Sequence, residues 1–111
     1  MIAADGPADG SADASPASSG GTELRRTVTI CNRRGLHARA AARFVALAEK
    51  FGASVEVLKD GQSVSARSIM GLMMLGAGMG SAIELRAEGW DAKEAMDALA
   101  ALVESGFDEQ D

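Results

Sequence analysis

A single histidine, His37, lies in the segment Arg34-Gly35-Leu36-His37-Ala38-Arg39, where a short polar connection (Asn32-Arg33-Arg34-Gly35) runs into an alanine-rich stretch. The first-turn N–H groups of a helix lack intrahelical acceptors and sit at the positive end of its dipole, so a helix starting beside His37 would favour an anion. An imidazole nitrogen can attack a phosphoryl group, and the phosphoramidate it forms is labile enough to pass the group on. Such transfer asks the protein mainly for position and charge compensation. Arg39 can supply a fixed cation, and Gly35 lets the backbone come close without a side-chain clash, with Ala38 and Ala40 completing the loop. The same residues also read as a surface histidine capping a helix, and composition alone leaves both readings open.

Hydrophobic period locates the elements that must hold this segment. Leu24, Arg26, Val28 and Ile30 alternate with Arg25, Thr27 and Thr29 as a strand ending near Cys31. Ala41, Phe44, Val45, Ala48 and Phe51 recur at helical spacing up to Gly52, so a helix starts beside His37. Val55 and Val57, the turn pair Asp60-Gly61, and Val64 predict a hairpin. Ser68 is placed to N-cap a short helix carrying Ile69, Leu72, Met73 and Leu75, ended by Gly76, Gly78 and Gly80. Ile83, Leu85 and Ala87 predict a fourth strand. Asp91 and Glu94 suggest a capping box before the stripe Ala95, Met96, Leu99, Leu102 and Val103 of a last helix.

The order β-α-β-β-α-β-α, with strands polar on one face and apolar on the other, predicts an α+β fold. Its architecture is an open-faced two-layer sandwich, a four-stranded antiparallel sheet covered on one face by three helices. The glycines at 76, 78 and 80 follow a helix and lead into a strand, the reverse of a dinucleotide fingerprint, so they end a helix rather than hold a nucleotide.

Composition narrows the classes further. The 111 residues carry 11 Lys plus Arg against 16 Asp plus Glu, one Cys and one His. One Cys and one His make neither a disulfide nor a zinc set, so no metal and no cofactor is expected. The net charge of −5 argues against a general nucleic-acid binder, and no apolar run approaches the ~20 residues that span a bilayer. A cytoplasmic, monomeric protein is expected. Residues 1–22, rich in Ala, Gly, Ser and Asp, read as a disordered acidic extension, and residues 23–111 as the folded domain. Between Leu24 and Ala48 there are six arginines and no acid, which puts a basic face around the histidine, and charge pattern alone reads equally as a solvated face that aids solubility. Cys31 could approach His37 as a thiol–imidazole dyad, although a strand end favours a packed thiol. An RNA-binding α+β domain would need aromatic residues on the sheet, and Phe44 and Phe51 fall on the first helix instead.

Arg34-Gly35-Leu36-His37-Ala38-Arg39, Ser68-Ile69-Met70-Gly71-Leu72 and the element order together resemble the HPr family, the histidine-containing phosphocarriers of the bacterial phosphotransferase system. The resemblance covers about Leu24 to Phe107. It implies a phosphoryl carrier rather than an enzyme. His37 would take phosphate through Nδ1 from phosphorylated enzyme I and give it to an enzyme IIA domain, with Arg39 pairing the phosphate. Ser68 would be the regulatory serine, phosphorylated in some bacteria by HPr kinase/phosphorylase. Ile69, Met70 and Met73 would face partners, and a basic rim of Arg39, Arg43 and Arg67 is expected around them. A regulatory interaction module of a nitrogen-related branch is the alternative on the same scaffold. The chain departs from the family pattern at Ala40, where most members have proline; alanine restores an N–H donor in the first turn.

Overall fold

The computed structural model describes residues 23–109, so the acidic extension expected over residues 1–22 lies outside the described residues. The elements are β1 (Leu24–Thr29), α1 (Ala38–Ala48), β2 (Ser54–Lys59), β3 (Gln62–Ser65), α2 (Ile69–Met74), β4 (Ala82–Glu88) and α3 (Ala92–Glu104). The sheet runs β1-β4-β2-β3 with every neighbouring pair antiparallel. This is the open-faced α+β sandwich that the alternating strands predict.

Register puts like faces together. Val28 lies opposite Ile83, Val57 opposite Leu85 and Val55 opposite Ala87, and all six are buried on one face of the sheet. The other face carries Glu84 and Arg86, which pair at 3.3 Å, and no described helix covers it. Arg26 has the apolar parity of β1 yet stays exposed: β1 is an edge strand, and the guanidinium reaches out to Asp97 of α3 at 2.8 Å. Asp60 and Gly61 both have positive φ, 50° and 83°, the conformation of a tight hairpin turn between β2 and β3.

Ala40, Ala41, Phe44, Val45 and Ala48 form the buried stripe of α1. The helix stops at Ala48, before Gly52, and Phe51 packs against the core from the turn that follows. Phe44, Phe107, Ile30, Leu72, Ile83, Leu85 and Leu99 are the largest fully buried side chains. Each such burial contributes about 1.5–3 kcal/mol.

The capping box expected at α3 does not form. Asp91 occupies the N-cap position but makes no side-chain capping bond. Its carboxylate instead accepts the N–H groups of Gly52 (2.9 Å) and Ala53 (2.8 Å), clipping the start of β2 to the start of α3. Two backbone donors, one to each oxygen, suit a carboxylate better than a single donor in the helix turn, and spacing within α3 gives no hint of the competing loop.

Candidate functional site

His37 is the N-cap of α1, with extended backbone at φ −75° and ψ 178°. Its carbonyl accepts the first helical bond, from Ala41 N–H at 2.8 Å, while its side chain makes no capping bond. The N–H groups of Ala38, Arg39 and Ala40 therefore have no intrahelical acceptor, and the first turn of α1 is open to an anion. The reading of His37 as a side-chain helix cap is not what the structure adopts.

The imidazole turns instead to the C-terminal segment. Its Nε2 bonds the Oε2 of Glu109, and among the described residues nothing bonds Nδ1. The ring is 23% exposed and the Glu109 side chain 10%. Asn32, buried below the loop, donates from Nδ2 to Glu109 Oε1 (3.0 Å) and to the Gly35 carbonyl (2.9 Å). The Asn32 amide, the His37 ring and the more distant charge of Arg34 hold the Glu109 carboxyl below its ordinary pKa, against the opposing effect of burial.

Gly35 adopts φ +67°, and a Cβ there would lie 2.4 Å from the Ala77 carbonyl oxygen and 2.7 Å from Gly78 Cα. The bond from Leu36 N–H to Ala77 O, 2.9 Å, fixes this approach. Glycine at 35 therefore lets the histidine loop lie against the loop after α2. The other glycines of that loop, Gly76 at φ +64° and Gly80 at φ +89°, terminate α2 and shape the return to β4.

Ser68 caps α2: its Oγ accepts Gly71 N–H at 2.9 Å. Leu72 is fully buried, while Ile69, Met70 and Met73 are exposed, as are Met74 and Met79. Arg39 and Arg43 lie one turn apart on α1. Among the described residues Arg39 has no carboxylate partner, whereas Arg43 donates to the Phe107 carbonyl. Arg67 donates to the Phe51 carbonyl at 2.7 Å, beyond the far end of α1. An eleven-residue helix is about 16 Å long, so Arg39 and Arg43 stand near the start of α1 and Arg67 beyond its other end. Cys31 is exposed rather than packed, and no thiol–imidazole dyad forms: the thiol points at the carbonyls of Val103 and Glu104.

Sequence reasoning missed Glu109 and Asn32. The periodicity of α3 ends at Val103, and the return of the tail depends on three residues in the left-handed region, Gly106 (φ 72°), Phe107 (φ 58°) and Asp108 (φ 59°). Phe107 N–H bonds Leu102 O at 2.8 Å and its ring is fully buried. Gly106 followed by a large apolar residue is a helix-stop signal that points to this reversal.

A lone, accessible imidazole at an open helix start, on an open-faced sandwich of this topology, defines a class of small phosphoryl-carrying domains. Residues 24–105 match the family model described as PTS HPr component phosphorylation site. The chain is 49% identical over 88 residues to the phosphocarrier protein NPr of Shewanella violacea, covering 79% of this chain and 97% of the relative. It is 50% identical over 86 residues to the phosphocarrier protein HPr of Cupriavidus necator, covering 78% and 97%. The crystal structure of HPr-C-His from Thermoanaerobacter tengcongensis superposes with a TM-score of 0.75 at 48% identity, covering 78% of this chain and 98% of that one. The chain belongs to the HPr family, the phosphocarrier proteins of the phosphotransferase system. Both of these relatives are named as phosphocarrier proteins.

Proposed function

We propose that His37 takes a phosphoryl group on Nδ1 from phosphorylated enzyme I and delivers it to an enzyme IIA domain. One observation carries the reading: the imidazole stands at the open first turn of α1 with Nδ1 unbonded among the described residues. Arg39, exposed and without a carboxylate partner there, compensates the new dianion, and the N–H groups from Ala38 to Ala40 lie on the same turn. Gly35 sets the loop that presents the ring. The exposed Ile69, Met70 and Met73 form the docking surface, flanked by Arg39, Arg43 and Arg67, and suit partner faces with apolar centres and acidic borders.

Ser68 is the regulatory position in this reading, a substrate for an HPr kinase/phosphorylase where one is present. Phosphate there is favourable to the start of α2, yet it places a dianion beside the docking surface and repels acidic partners. The domain spans residues 23–111 behind an acidic extension over residues 1–22, and works as a monomer in the cytoplasm. No described helix is long and apolar enough to cross a membrane.

The test is incubation with enzyme I and phosphoenolpyruvate, followed by intact-mass and peptide mapping under alkaline conditions. One acid-labile phosphate at His37 that chases onto an enzyme IIA supports the carrier; label elsewhere defeats it. A second reading, a regulatory module of a nitrogen-related branch, is favoured by the similarity to the phosphocarrier named NPr. It calls for labelling at His37 without efficient passage to a sugar-specific enzyme IIA.

A further inference from the structure

We propose that Glu109 is a positioning residue for the reaction at His37: its carboxylate accepts the Nε2–H, fixes the ring tautomer that leaves the Nδ1 lone pair free, and balances the charge the ring gains on phosphorylation. The inference rests on the reading of His37 as the phosphoryl acceptor and assigns that site a part contributed by the C-terminal segment.

The argument starts from the proton. A neutral imidazole carries one N–H, and the partner of each nitrogen decides where it resides. An ionised carboxylate only accepts hydrogen bonds, so the contact between Glu109 Oε2 and Nε2 places the proton on Nε2. Nδ1 is left with its lone pair. The second oxygen, Oε1, is held by the Asn32 amide, which is itself tied to Gly35 O, so the carboxylate and the loop carrying His37 are oriented by one buried side chain.

The transfer then balances without moving a proton. The Nδ1 lone pair attacks phosphorus, the N–P bond of the donor histidine breaks as the Nδ1–P bond forms, and Nε2–H stays where it is. The ring becomes cationic 1-phosphohistidine beside the Glu109 carboxylate. On delivery the acceptor nitrogen displaces Nδ1, which recovers its lone pair, and the ring is neutral again. A carboxylate fixed on the far side of the ring is placed where this charge appears and disappears.

The tail is built to bring the carboxylate there. Phe107 and Asp108 both occupy the left-handed region that residues with a Cβ avoid. The buried Phe107 ring, the bond from Arg43 to the Phe107 carbonyl and the bond from Glu109 N–H to Gly106 O (3.1 Å) hold that conformation. Backbone kept in a disfavoured region by its surroundings points to a purpose at that site.

The experiment measures imidazole ¹⁵N shifts and enzyme I labelling rates on the full chain, its Glu109→Gln variant and its Glu109→Ala variant. The wild-type ring is expected mainly as the Nε2–H tautomer. Glu109→Gln, whose Oε1 still accepts, should keep that tautomer while labelling more slowly. Glu109→Ala should mix both tautomers and lower the labelling rate roughly tenfold, the worth of one charge-assisted hydrogen bond. An unchanged tautomer ratio in Glu109→Ala overturns the proposal even if His37 labels normally. Failure of the wild-type protein to label at His37 overturns the phosphoryl-acceptor reading instead, and the shifts, which need no donor, still judge the tautomer.

Discussion

The starts of α1 and α2 share a design and part company in one side chain. Each begins with an N-cap residue in extended backbone, His37 in one and Ser68 in the other. Ser68 turns back and closes its cap on Gly71 N–H, whereas His37 turns away to Glu109 and leaves three first-turn donors open. The difference follows from length and packing. α2 has six residues, too few to persist on propensity, and only Leu72 of it is buried, so a closed cap is a large part of its stability. α1 has eleven residues and five buried side chains, which offset the missing cap. A helix anchored by its core face is free to present an open, anion-attracting end.

The strongest way to break this comparison is to remove what distinguishes the α1 start. His37→Ala should abolish acid-labile phosphate incorporation, read by intact mass. The ring makes no capping bond, and the Glu109 carboxylate it releases keeps its bond from Asn32, so unfolding free energy should change by only about 1 kcal/mol in urea titration. A large loss of stability would make His37 a structural residue after all. Arg39→Ala should follow, slowing labelling about tenfold with the melting temperature unchanged, since the guanidinium has no partner among the described residues to lose. Ser68→Asp sharpens the contrast from the other side. Aspartate caps as well as serine, so stability should hold, while a fixed negative charge beside the docking surface slows labelling by enzyme I several-fold, up to about tenfold. Equal rates would leave Ser68 a cap and nothing more.

How legible each end was differs for physical reasons. The α2 start could be read directly, because a serine followed by an apolar helical pattern is a local signal and the bond it makes spans three residues. The sheet was equally plain: Val28, Val57, Ile83 and Leu85 sit on strict two-residue alternation and all prove buried. At the α1 start the sequence shows the imidazole, the arginine and the glycine, but not the carboxylate that orients the ring. Glu109 is 72 positions away from His37, on a tail with no periodicity of its own. Asp91 fails in the same manner. Spacing assigns it to its own helix, yet the donors that win it, Gly52 and Ala53, come from a distant turn. The need for glycine at 35 was visible, and the reason was only partly so: the crowding neighbour is the carbonyl of Ala77.

Two smaller changes compare the caps directly. Ser68→Ala removes a closed cap and should cost about 1 kcal/mol, read by chemical denaturation, with labelling at His37 little changed. Ala40→Pro does the reverse experiment on the open turn. Position 40 is the third residue of α1, where the N–H has no helical acceptor, so proline deletes a donor without breaking the helix. Because Ala40 is fully buried, the ring must fit against packed neighbours, and a stability change of about 0.5 kcal/mol or less is expected. If the Ala40 N–H contributes to holding the phosphate, its loss should alter the phosphohistidine half-life about two- to threefold, the worth of a weak neutral hydrogen bond. An identical half-life would show that the anion is held by the first two donors of the turn and Arg39 alone.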